Sequence, residues 1–173
     1  MATAAKVSLW DNSTHGLDAS TSVRFGKSLR EYTQSGRRIA MAALYQASDD
    51  LVNLFDKVTV LHQGHQVFFG TIDEAKEYFS SLGFQILKRQ SITEFLIGVT
   101  DPSLSMAKEG WEYRVPRTVD DFDKCWKESP NWRKLQEDIK DRTDEGLHDA
   151  GLQNFASRSQ NRSVYALSWS KQL

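Results

Sequence analysis

Short apolar runs alternate with helical periodicity through the first half of the chain, and this alternation most restricts what it can fold into. Residues 7–10, "VSLW", form an apolar run closed by Asp11. Leu17, Val23, Phe25, Leu29 and Tyr32 then recur at spacings that fit one helical face from residue 18 to about 33, with Gly36 as a stop. Residues 39–45 read as a second, buried strand. "SDDLVNLFD" follows, with acidic residues in its first turn and Leu51, Leu54 and Phe55 on one side, as suits a helix N-terminus and its dipole. Two β-rich runs then flank Gln63-Gly64 as a hairpin closed by Gly70. Strand, helix, strand, helix and hairpin in this order predict an α/β layer with one parallel sheet.

The second half reads as helical. Thr71-x-x-Glu74 and Ser91-x-x-Glu94 are capping boxes, in which a hydroxyl and a carboxylate satisfy the free amides of a helix start. Ala75, Tyr78, Phe79 and Leu82 give the first of these helices its apolar face, and Gly83 ends it. The second stops before Pro102. A loop-like stretch over 101–116 precedes a helix opened at Thr118-x-x-Asp121, and Ser129-Pro130 starts a charged helix from 131 to about 145. Beyond it Gly, Asn and Ser become frequent, and no internal repeat is present.

Composition excludes several classes of function. Among 173 residues, 22 basic and 23 acidic side chains nearly cancel, so no net field draws the chain to nucleic acid, and no nucleic-acid partner is expected. The single cysteine, Cys125, permits no internal disulfide and fits a reducing, cytoplasmic compartment. No run approaches the roughly 18 apolar residues that a membrane-spanning helix needs. His62-x-x-His65 flanks the hairpin turn without a third ligand nearby and reads as two solvent-facing histidines rather than a metal site. Cys125 sits between Phe122 and Trp126 as a small buried residue, with nothing adjacent to make it a nucleophile. Gly26-Lys27-Ser28 has the letters of a phosphate-loop ending, but it lies inside a helical pattern and lacks the upstream glycine.

The segments "WDNSTHGLDAST", "LYQASDDLVNLFDKVTVLHQGHQVFFG", "DEAKEYFSSLGF", "RQSITEFLIGVTDP" and "EYRVPRTVDDFDKCW" occur in this order. Over roughly residues 7–140 they resemble the first nucleotide-binding domain of fungal pleiotropic-drug-resistance ABC transporters, a branch related to the ABCG type. The resemblance implies a partial P-loop NTPase (ABC ATPase) sheet with helices, followed by a mostly helical linker. Residues 1–85 are expected to be the C-terminal half of the nucleotide-binding domain, 86–146 a helical extension, and 147–173 a linker towards a transmembrane domain.

Carried over position by position, Asp11 resembles the Walker B aspartate, which meets the magnesium of Mg-ATP. Asn12 stands at the place of the catalytic glutamate, and His15, Gly16, Leu17 and Asp18 resemble the D-loop. Tyr45 falls at the switch, or H-loop, histidine. Asn and Tyr at these two places are similar to what the family's first domain carries, and His15 departs from the arginine expected there. An amide can orient water but has no useful basicity, so the implied site binds nucleotide with little hydrolysis. Read from the residues alone, Asn12-Ser13 can equally be a turn at a strand end, and Tyr45 a packing aromatic.

The family's Walker A loop, Q-loop and signature motif have no counterpart in this chain, which reads as an interior segment. The expected cofactors, ATP and Mg²⁺, therefore belong to a complete transporter. The expected partners are the rest of the same nucleotide-binding domain, a second nucleotide-binding domain and transmembrane domains, at the cytosolic face of a membrane. The alternative is a stand-alone, non-catalytic ABC-like protein that acts by protein binding through an exposed sheet edge.

Overall fold

The computed structural model describes residues 5–36, 38–44 and 47–148, with side chains through residue 142. The chain divides into two compact units, residues 1–131 and 132–173.

The first unit opens with strand β1 (Val7–Asp11), helix α1 (Ala19–Gln34) and strand β2 (Ile39–Ala43). The strands run parallel, with Val7 opposite Ile39 and Asp11 opposite Ala43. Side chains alternate between two faces, as the period of a strand requires. On the inner face Trp10 meets Phe25 of α1 edge-on, with ring centroids 5.4 Å apart. On the other face Leu9 is 76% exposed, and Val7, Ile39 and Met41 are each more than half exposed. The expectation of a buried second strand is thus corrected: β2 is covered on one side only. Parallel sheets ordinarily have both faces covered, so this apolar face is what a third layer would hide.

α1 is started by Asp18, whose carboxylate accepts from the Thr21 amide at 2.9 Å. Its buried residues are Ser22, Gly26 and Leu29, while Leu17, expected on the helix's apolar face, precedes the helix and is 42% exposed. Helix α2 (Asp49–Val52) is a single turn capped by Ser48, shorter than the apolar pattern suggested, with Asp49 and Asp50 in its first turn as expected.

Strands β3 (Val58–His62) and β4 (His65–Gly70) form the expected hairpin, with a bulge between Val60 and Leu61. Gln63 and Gly64 both have positive φ, 46° and 84°, the backbone of a two-residue turn whose twist matches the strands it joins. The hairpin does not extend the parallel pair. Two separate two-stranded sheets replace the single parallel sheet expected, because among the described residues β2 pairs with β1 alone and β3 with β4 alone.

The core lies on the hairpin. Helices α3 (Ile72–Ser81), α4 (Ile92–Gly98) and α5 (Val119–Glu128) each begin with a complete capping box. From them and from β4, Phe68, Tyr78, Phe79, Phe95, Phe122 and Trp126 pack together with Phe84, all buried. Phe68 lies 5.4 Å from Trp126, and Phe84 stacks on Phe122 with an interplanar angle of 11°. The loop between α4 and α5 is tied to this core by the bridge between Phe84 and Ala107 and by Lys108, whose Nζ donates to the Ser80 carbonyl at 2.6 Å. At Ser129 the α5 backbone turns extended and Pro130 opens helix α6 (Pro130–His148).

Candidate nucleotide half-site

β1 delivers Asp11 to the carboxyl end of the parallel pair, the end at which open α/β sheets bind ligands. The Asn12 amide then donates to the Ala43 carbonyl at 3.0 Å, so the ends of the two strands are held side by side. Asn12 itself has φ of 48°, in the left-handed region where Asn is several-fold enriched among non-glycine residues. From there the chain winds tightly: the His15 amide donates to the Asn12 carbonyl at 3.0 Å and the Leu17 amide to the Thr14 carbonyl at 3.1 Å. Thr14 is buried beneath this turn, and Gly16, with φ of 78°, takes a second left-handed position.

Asp18 closes the turn and opens α1. Its carboxylate accepts from the Thr21 amide, the Ser20 hydroxyl at 2.7 Å and the Thr21 hydroxyl at 2.8 Å. The Thr21 amide first, then the two hydroxyls, hold the Asp18 carboxyl well below the usual carboxylate range. The loop 12–18 is therefore shaped by its own backbone and ends on a fixed, ionised carboxylate. The Asp-x-x-Thr spacing is the sequence signal of this cap, and it falls on the same residue as the expected D-loop aspartate.

Asp11 is exposed, and its carboxylate makes no hydrogen bond or ion pair with any described residue. It lies at the rim of a cleft of about 1350 Å³. Trp10 and residues 39–44 form one wall of this cleft, and residues 58–61 of β3 with Leu96 and Ile97 of α4 form another. Two strands, each with an edge unpaired among the described residues, thus border the same apolar space. The structure brings Asp11, Asn12, Gly16, Leu17 and Asp18 into one turn at the strand end. Tyr45, the remaining expected site residue, lies outside the described residues.

Lone features elsewhere do not make a second centre. Gly26-Lys27-Ser28 lies mid-helix, with Gly26 buried against Leu51 and Leu54, so its amides are held inside α1 and cannot cradle phosphate. Among the described residues no three His, Cys, Asp or Glu side chains converge as metal ligands. His65 is exposed, with Nδ1 3.8 Å from Asp123, whereas His62, expected to face solvent, is half-buried with its ring edge-on to Phe122. Cys125 is half-buried, and burial first, then the Asp121 and Glu128 carboxylates, push its thiol upward, away from what a nucleophile needs.

No protein-family model matches the chain. It is 38% identical to Protein SNQ2 of Saccharomyces cerevisiae over 99% of its own length and 12% of that protein's. It is likewise 38% identical to the ABC transporter ATP-binding protein/permease PDR18 of the same yeast, covering 14% of it, and 44% identical over 76% of its own length to the ABC multidrug transporter atrG of Aspergillus oryzae. The chain corresponds to a segment of fungal pleiotropic-drug-resistance ABC transporters. This transporter segment spans about an eighth of the length of the curated relatives it matches first. No helix among its described residues is long and apolar enough to cross a membrane.

Proposed function

We propose that this segment is the C-terminal half of a nucleotide-binding domain, and that it contributes a degenerate nucleotide site to ATP-coupled export on the cytosolic face of a membrane. The observation that carries the reading is the position of Asp11: an unpartnered carboxylate at the carboxyl end of a parallel pair, on the rim of an apolar cleft bordered by two strands that each keep one edge unpaired among the described residues. The preceding half of the same domain would fill that cleft with the missing strands of an ABC ATPase sheet, bringing the phosphate-binding loop beside Asp11. The open face of Val7, Leu9, Ile39 and Met41 is of the kind such a layer covers.

The residues fit Mg-ATP as one part of a shared shell. Magnesium is bound through one or two carboxylates together with phosphate oxygens and water, and Asp11 supplies one such carboxylate. Bound there, the ion would neutralise charge on the phosphates. Asn12 can hold a water by hydrogen bonds but cannot take its proton, so turnover at this site is slow. Gly16, Leu17 and Asp18 form a D-loop that reaches across to the second nucleotide-binding domain. Residues 147–173 lead on towards the transmembrane domain. In a full-length transporter carrying this segment, Asp11→Ala should abolish photolabelling of this domain by an azido-ATP analogue while labelling of the second domain persists. Undiminished labelling of this domain would refute the assignment.

A further inference from the structure

Residues 49–56 grip two helices at once. At one end Asp49 Oδ1 accepts from the Ile92 amide at 2.9 Å, across 43 positions of sequence. Ile92 is the first residue of α4, and the capping box of Ser91 and Glu94 leaves its amide without a partner, so Asp49 fills a place that α4 cannot fill for itself. At the other end Arg30 Nη1, from α1, donates to the Leu54 carbonyl at 2.6 Å and lies 3.4 Å from Asp56. The Asp56 pair is exposed and adds little, so the bond to the carbonyl is the firmer hold. Between the two ends Leu51, 1% exposed, sits against Gly26 of α1.

The two gripped helices have different business. α1 begins at Asp18, so its placement sets where the D-loop stands. α4 contributes Thr93, Leu96 and Ile97 to the wall of the cleft. We propose that Arg30 and Asp49 are positioning residues of one clasp, through which the seating of the preceding half-domain against α4 sets the position of the D-loop on α1. This rests on the reading of the cleft and D-loop given above. Packed helices shift as bodies rather than deforming, so a segment fastened to both carries a displacement of one into the other.

The experiment uses the full-length transporter in membranes, with steady-state ATPase kcat and KM, and the melting temperature of the solubilised protein, measured for each variant. Arg30→Met keeps the aliphatic stem and removes the donor, and Asp49→Ala removes the acceptor. Each should lower kcat roughly threefold or more with KM unchanged. Because both open the same clasp, the double variant should be no slower than the slower single, whereas independent sites would multiply their effects. Asp49→Asn, which keeps an acceptor oxygen, should recover most of the loss. Val115→Ala, which truncates a buried residue outside the clasp, should lower the melting temperature but leave kcat intact.

Multiplicative singles would overturn the clasp, as would a Val115→Ala variant that lost kcat as the clasp variants do. Asp18→Ala separates the two levels. If it lowers kcat while the clasp variants do not, the clasp alone fails. If Asp18→Ala itself changes nothing, the D-loop assignment fails and the clasp falls with it.

Discussion

Gly26 of α1 and Leu51 of α2 meet so closely that a Cβ at position 26 would stand 2.6 Å from Leu51 Cδ1, with Leu54 Cδ1 at 2.9 Å. A mid-helix glycine ordinarily gives up about 1 kcal/mol relative to alanine, and here the missing Cβ is what lets the two elements approach. Gly26→Ala should therefore destabilise the domain by about 1–2 kcal/mol despite its better helix propensity, since both leucine ends must move. A fall in the melting temperature of the assembled nucleotide-binding domain would bear this out, and a rise would contradict it.

Asn12 holds a left-handed backbone, and the residue type matters there as much as its chemistry. Asn12→Glu should cost about 1 kcal/mol in stability, because a longer side chain lacks the local tolerance of Asn for positive φ, whereas Asn12→Gly should be neutral or stabilising. In the full-length transporter Asn12→Glu alone should leave the ATPase rate almost unchanged. The Asn12→Glu, Tyr45→His double variant should raise turnover only where the preceding half-domain supplies its lysine to the phosphates. A tenfold gain from Asn12→Glu alone would contradict the reading of a degenerate site.

Acid should loosen the helix starts before it loosens the aromatic core. Asp18 is held low by the Thr21 amide and neighbouring hydroxyls, and Asp121 by the Thr118 hydroxyl and the Thr118 and Arg117 amides. Both bind protons less readily folded than unfolded. The stability they add is thus complete above the unfolded value of about 4 and drains away as pH falls through and below it. Melting temperatures taken at descending pH should fall steeply only below about pH 4, and Asp18→Asn with Asp121→Asn should flatten that fall.

What could be read from the sequence was what local chemistry decides. The capping boxes at Thr71 and Ser91, the turn at Gln63-Gly64 and the aromatic faces of α3 and α5 depend on neighbours a few residues away, and all are present. What could not be read depends on partners distant in sequence. Periodicity placed Val23, Phe25 and Leu29 on the apolar face of α1, and Leu29 is buried and Phe25 meets Trp10, but the buried Ser22 and Gly26 were not foreseen, because α2 packs against a glycine rather than a large side chain. Equally, an apolar strand looks the same in sequence whether it is buried on two faces or one, so the exposure of Ile39 and Met41 could not be foreseen. The turn from Asp11 to Asp18 lay between these cases: its residues were singled out by resemblance, while the left-handed Asn12 and the capping by Asp18 came from the backbone itself.

The isolated segment should be sticky. With Val7, Leu9, Ile39 and Met41 open to solvent and the cleft unfilled, it should bind a hydrophobic dye and self-associate, and co-expression with the preceding half of the domain should suppress both. A monomeric segment with a sharp melt and no dye binding would contradict this.

Calorimetric titration of Mg-ATP, into the segment alone and into the segment co-purified with its preceding half-domain, tests the half-site most directly. The segment alone offers Asp11 without a phosphate cradle and should give no measurable binding heat. The co-purified pair should bind, and Asp11→Ala in the pair should remove that binding. Micromolar binding by the segment alone, or binding by the pair that is indifferent to Asp11→Ala, would contradict the account.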